Sequence, residues 1–407
     1  MLNLRRLLPC SFAIVASLCA STAYANNGDP VAVRRWPDGA LSIETHWGLH
    51  VVIDPSERTE KLLPRKPDLV VRSGEKTSVQ LGRKPNQDKP SRTNDGKDPN
   101  SVTVTSISSG DGGAQLLSVR VDGASLLFVP HQVLAADRIK DIAVSAQQPD
   151  LLVLSTSDAS MLGQAHVTKF VTDVRAKRIL LNVSGDLDKS VLSGFQTAIG
   201  TKKPVTTVGH NTLAISKPVR RRTLDRSRAK DAKPGMVEVI TLTDKPWKMP
   251  EGLSKLFVAM EKSCRDSQKV FAKLSTDQMN FKPANGTHTP RWNTEHMMGR
   301  QLQFFSQIYN KVDPAIPVLN LNPRQMPEDY RFAHPDWDGK EEARQMQRVS
   351  DFTRRFAYLL DGVDVNKRVA GSPWPSLRAL LEQMFRHYTE HTANTVKKFS
   401  LPGFPEK

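Results

Sequence analysis

The rhythm of apolar and polar positions changes once along the chain, near residue 250. Before it, the apolar runs are short and strand-like. Residues 40–53 are rich in β-formers and stop at Asp54-Pro55, a turn pair. Residues 101–108 alternate valine with threonine and then isoleucine with serine, a period of two that sends every second side chain to one face. Two apolar runs within 116–129 are joined by Asp122-Gly123, which predicts a hairpin. The run 151–154 is wholly apolar and 178–183 largely so, with a helix predicted over 161–174 between them. Strands interleaved with helices predict a β-rich α/β or α+β sandwich over 26–216.

Beyond residue 250 the period lengthens to that of a helix. Leu253, Phe257, Met260, Cys264 and Phe271 fall close to one stripe. A loop over 282–290 leads into a second predicted helix, from about 292 to 312. Residues 313–338 are studded with proline and predict a long crossover. A third helix is expected over 339–360. Ser372-Pro373 and Pro375-Ser376 mark the start of a fourth, which ends near 399. Four helices with one long crossover predict an all-α four-helix bundle over 250–407. Between the two domains, 217–249 reads as a basic linker. Near 75–100 a polar, lysine-rich stretch predicts a disordered insertion.

The first 25 residues read as a signal peptide. Arg5 and Arg6 precede an apolar run, and Ala23-Tyr24-Ala25 supplies the small residues of a cleavage site. A bacterial protein exported to the periplasm or secreted is therefore expected, and no later stretch suits a membrane span. Cys10 and Cys19 would leave with the signal, so Cys264 has no partner for an intramolecular disulfide. The formal charge of +16 falls to +14 without Arg5 and Arg6, and it is unevenly spread. From Pro250 onward 23 basic residues face 18 acidic ones, a net of only +5. Much of the excess lies in the two loop-like stretches, including Arg220, Arg221 and Arg222. That distribution suits solvated segments touching anionic envelope polymers better than a nucleic-acid groove.

His387 and His391 stand four residues apart, so a helix stacks their imidazoles one turn apart on its apolar face. His296, near the start of the second helix, is a natural third ligand for a divalent cation where those helix ends meet. Spacing alone also fits satisfied core histidines or an exposed pair, and His46 and His50 repeat it in a predicted strand. A second cluster drawn from His46, His50, His131, His166 and His210 has nothing in the sequence to fix it. Glu295 and Glu390 adjoin the histidines at a spacing that points them elsewhere. In the crossover, Tyr330, His334 and Trp337 suit packing, or a lid over the site.

Two stretches carry a resemblance. Phe281-Lys282-Pro283-Ala284, followed by Arg291-Trp292-Asn293-Thr294-Glu295-His296, is similar to the entry into the second helix of the DinB family. Arg386-His387-Tyr388-Thr389-Glu390-His391 is similar to that family's late histidine pair. The resemblance implies that His296, His387 and His391 hold a divalent metal, with zinc, nickel or iron equally suited to imidazole. It also implies thiol-dependent transfer or isomerisation as one chemistry, though many relatives have no established activity. The N-terminal half resembles the metallo-β-lactamase-like fold through Trp47-Gly48, then Val51-Val52-Ile53-Asp54-Pro55 and the later apolar strands. After Asp68-Leu69-Val70-Val71, however, stands Arg72-Ser73-Gly74-Glu75, where that fold carries its histidine and aspartate cluster. A degenerate, non-catalytic version is expected. The function expected is a metal-dependent transferase or hydrolase acting on a small molecule. The alternative is a non-catalytic envelope binding or structural protein with a structural or vestigial metal site.

Overall fold

A computed structural model of the chain describes residues 30–45, 48–82, 86–87, 91–92, 101–108, 115–121, 124–135, 139, 148–184, 187–215, 237–319 and 334–406. The predicted signal peptide, His46, Trp47 and Tyr330 lie outside the described residues, as does most of the basic stretch before residue 237.

The N-terminal half is a two-sheet sandwich. The first sheet runs β13 (Thr212–Ile215), β1 (Val31–Arg35), β2 (Leu41–Glu44), β3 (His50–Ile53) and β4 (Leu69–Val71). The second runs β12 (Thr206–Val208), β14 (Glu238–Leu242), β11 (Arg178–Val183), β10 (Leu151–Thr156), β9 (Ala124–Val129), β8 (Gln115–Val121), β7 (Ser101–Ser108), β5 (Ser78–Gly82) and β6 (Ser91–Arg92). From β12 to β9 neighbouring strands are parallel, and from β9 to β6 antiparallel.

Burial on both faces explains the wholly apolar run at β10. Leu151 and Val153 face the core between the sheets. Leu152 and Leu154 face an outer core, which α3 (Ala165–Val174) and α4 (Lys189–Ala198) cover with Phe170 and Phe195. Two short helices, α1 (Glu57–Leu62) and α2 (His131–Leu134), complete the sandwich.

Two expectations need correction. The stretch 75–100 was expected to be a disordered insertion, yet Ser78–Gly82 pairs in register with β7, placing Leu81 in the core. Nearby, Asn86 reaches across to the bundle. Its backbone N–H donates to Glu341 at 2.8 Å and its side chain accepts from the Asp338 N–H at 3.1 Å. The expected linker, 217–249, contains β14, wedged between β11 and β12 with Val239 and Ile240 buried. The chain thus returns to the first domain before leaving for the second.

The C-terminal region is helical. Its long helices are α5 (Glu251–Phe271), α7 (Pro290–Val312), α8 (Gly339–Arg355) and α9 (Leu377–Val396), with a short α6 (Thr276–Asn280) after α5. Helix α5 packs on α8 and α9, and α7 packs on the same two, which closes a four-helix ring. Local chemistry sets the helix starts. Thr289, Asp338 and Ser376 each accept a backbone N–H at the N-cap, and Ser275 with Gln278 forms a capping box. Cys264 packs inside the bundle, where burial pushes its thiol up to about 11.

The bundle lies on the outer face of the first sheet. Val31 and Val33 of β1 point between the sheets, whereas Ala32 points into the bundle core. Leu213 and Ile215 of β13 likewise flank an outward Ala214. Alanine at both outward positions lets the helices approach closely. Arg355 seals the contact, donating to Glu44 at 3.0 Å from a buried position. Burial pushes the Glu44 carboxyl up, but Arg34 and Arg355 outweigh it and hold the group at about 2.

A candidate metal centre in the bundle

His387 and His391 face inward from α9, and His296 meets them from α7. Ring centroids are 4.8 Å apart for His296 and His387, 5.1 Å for His296 and His391, and 4.6 Å for His387 and His391. One ligand atom from each lies within 4.8 Å of the others. His296 and His387 are buried, at 5% and 8% exposure. Among the described residues this is the only such grouping of three or more metal-ligating side chains.

The surroundings orient the rings. Asn293 precedes His296 by three residues and so shares its helix face. Its amide nitrogen donates to Thr395 Oγ1 at 2.9 Å, which leaves the amide oxygen for His391 Nδ1, 2.9 Å away. His391 Nδ1 therefore donates, and Nε2 keeps its lone pair. Trp292 stacks on His296 at 4.4 Å, and His288 stacks on the far side of Trp292 at 3.6 Å. That sandwich restricts the tilt of the His296 ring.

Burial lowers the imidazoles' basicity. His387 is driven to about 3 by burial, then by His391 and Arg300. His391 is driven to about 4 by burial, then by His288 and Lys398. Both are neutral at neutral pH, the form that binds a metal. His387 Nδ1 is buried without a hydrogen-bond partner among the described residues. An orphaned ring nitrogen facing two more imidazoles fits a divalent cation, which accepts nitrogen ligands and relieves the burial cost.

Glu295 turns away from the three histidines. It accepts from the backbone N–H of His334 at 2.8 Å and meets the His334 ring at 3.0 Å. Burial pushes it up to about 8. On the same side, the buried Arg291 donates to Glu342 at 2.7 Å and to the Trp337 carbonyl at 2.7 Å. The His334 ring stacks on Trp337 at 3.7 Å, so both side chains pack where the crossover meets α8. Glu390 is exposed.

The remaining histidines are scattered. His50 is fully buried in β3. His131 meets Thr156 Oγ1 at 3.0 Å, His166 the Leu134 carbonyl at 2.7 Å, and the His210 ring lies tilted against Tyr358 at 4.1 Å.

Beside His391 opens a cavity of about 430 Å³, floored in part by Asn293. Neither this hollow nor the Arg291–Glu342 pair leaves a mark in the order of residues along the chain. The three-residue spacing of Asn293 and His296 was the available signal for the orienting amide.

Residues 259–394 match the family model of the DinB superfamily. The match runs from within α5 to near the end of α9 and takes in all three histidines. No curated protein matches the chain. Two solved structures are similar to about half of the chain. One is a metallo-beta-lactamase superfamily protein of Thermotoga maritima, with 14% identity and a TM-score of 0.31, covering 52% of this chain and 98% of that one. The other is a metallo-beta-lactamase fold protein of Bacillus subtilis, with 10% identity and a TM-score of 0.29, covering 46% of this chain and 99% of that one.

Proposed function

We propose that the bundle is a divalent-metal centre with His296, His387 and His391 as ligands, acting on a small molecule as a metal-dependent transferase or hydrolase. The observation that carries the reading is the convergence of three imidazoles from two helices, with one ligand atom of each within 4.8 Å of the others. The DinB match over the same residues supports it.

Three protein ligands leave room for water or substrate, as catalytic sites do and closed structural sites do not. A divalent cation there supplies Lewis acidity at the wall of the cavity. The chain's own contribution is positional. Asn293 holds His391 in one tautomer, Trp292 braces His296, and the surrounding apolar side chains limit water on the buried side. No carboxylate among the described residues faces the three rings closely enough to ligate with them. The ligand set is therefore uncharged, and a bound cation keeps its full 2+ charge for the substrate. Export by a cleaved signal remains part of the proposal, from the first 25 residues of the sequence.

The test is elemental analysis of the full chain, purified without a histidine tag, beside His387→Ala. About one zinc, nickel or iron per chain in the wild type, lost in the variant, is the expected result. A wild type that holds no metal, even after zinc or nickel is added, would overturn the reading.

A further inference from the structure

We propose that the cavity beside His391 receives the anionic end of a small substrate, with the Lys398 ammonium as its counter-charge. This deepens the metal-centre reading and rests on it for the position of the reacting group.

Lys398 follows α9 in the short turn Lys397–Ser400 and is only 4% exposed, although it lines the cavity. Its Nζ donates to the Asn394 carbonyl at 2.9 Å. That contact is ordinary capping of a helix C-terminus, and it uses one of the three ammonium hydrogens. No carboxylate among the described residues pairs with Lys398, and none lines the cavity. Lysine is almost never this buried without a counter-charge, and burial lowers its basicity. His288 and His391 line the same cavity as Lys398, so the lysine and one of the three proposed ligands border a single hollow. The wall also carries polar groups and a second cation, from Asn285, Thr287, Asn394 and Lys397.

A hollow lined by a buried ammonium that lacks a counter-charge and by the His391 imidazole favours one kind of occupant. It is a small molecule with an anionic group for Lys398 and a second donor directed at the histidines. A carboxylate, sulfonate or phosphate satisfies the first requirement through charge-assisted hydrogen bonds. A neutral molecule leaves the ammonium unpaired. Leu401 lines the cavity, and Phe404 packs edge-on against Phe281 at 5.2 Å.

The test uses full-chain protein loaded with cobalt(II), whose visible spectrum reports thiolate binding. The probes are 3-mercaptopropionate and 6-mercaptohexanoate, each against its neutral amide, titrated into wild type, Lys398→Met and Lys398→Arg. For at least one chain length the wild type should bind the carboxylate about tenfold more tightly than the amide. Lys398→Met should lose that preference, and Lys398→Arg should keep it. Equal binding of acid and amide by the wild type would overturn the proposal. So would a preference that survives in Lys398→Met with an unchanged circular dichroism spectrum. If Lys398→Met does not fold, the acid-to-amide comparison in wild type and Lys398→Arg decides. If cobalt does not bind, the metal reading fails separately. Calorimetric titration of the metal-free chain with the same acids and amides then judges the anion site by the same criterion.

Discussion

Asn293 is a single side chain on which the proposed centre depends without supplying a ligand. Its amide is fixed at one end by Thr395 and fixes His391 at the other. Asn293→Leu keeps the volume and removes both contacts, so metal affinity should fall about 10–100-fold, read by competition with a chromophoric chelator. Unchanged affinity would mean that packing alone orients His391. Glu295 makes a different prediction. Its carboxyl is held near 8, above its ordinary value of 4.5, so the folded chain keeps a proton that the unfolded chain releases. The sign follows from linkage. This group's contribution is fully present below about pH 4.5 and is lost as pH rises through about 8. Glu295→Gln cannot ionise, so its urea midpoint should decline less than the wild type's between pH 6 and pH 8.5. An equal decline in both would show that Glu295 does not titrate in that window.

At the scale of elements, the tightest junction is where α8 begins. A Cβ on Gly339 would lie 2.0 Å from the Phe271 carbonyl oxygen and 2.6 Å from that of Leu274. The Gly339 N–H also donates to the Leu274 carbonyl at 3.0 Å. Gly339→Ala must push α8 off the end of α5, at a cost of about 1–3 kcal/mol, visible as a lower Tm. An unchanged Tm would mean the junction yields freely. The long helices were legible because each buries one stripe over many turns, and the period survives local noise. The second was expected from 292, and the cap Thr289 with Pro290 starts it two residues earlier. The third ends as an α-helix at Arg355 and continues as a tighter 3-10 turn, Ala357–Leu360, which apolar spacing does not distinguish. Strands β5 and β14 were hidden by basic and polar neighbours. Within Glu238–Leu242 only Val239, Ile240 and Thr241 form a β-branched run, and only the partners β11 and β12 reveal where it belongs. The histidine trio could be read because helical spacing and two local motifs agreed on it. Asn293 and Lys398 escaped because their roles depend on what the fold brings against them, not on what lies beside them in sequence.

At the scale of the whole molecule, two alanines govern how the halves join. Ala32 and Ala214 are fully buried against the bundle. Ala214→Glu would place a carboxylate in that contact without a partner, a cost of several kcal/mol. The expected outcome is a thermal transition split in two or moved sharply downward in calorimetry. A single transition at the wild-type temperature would mean that the halves are not energetically joined there. The order of strands also sets a timetable. Strand β1 pairs with β13, whose residues lie some 180 positions later in the chain, and β14 fits between β11 and β12 only after β13 has been made. Contacts between such distant segments are slow to form, because a long loop must close before any of them is rewarded. A ribosome that has released residue 200 has therefore delivered a sandwich that still lacks β12, β13 and β14. Its outer face stays bare until the last four long helices arrive. For that interval the nascent chain is unfinished, with apolar surface open to any chaperone that meets it.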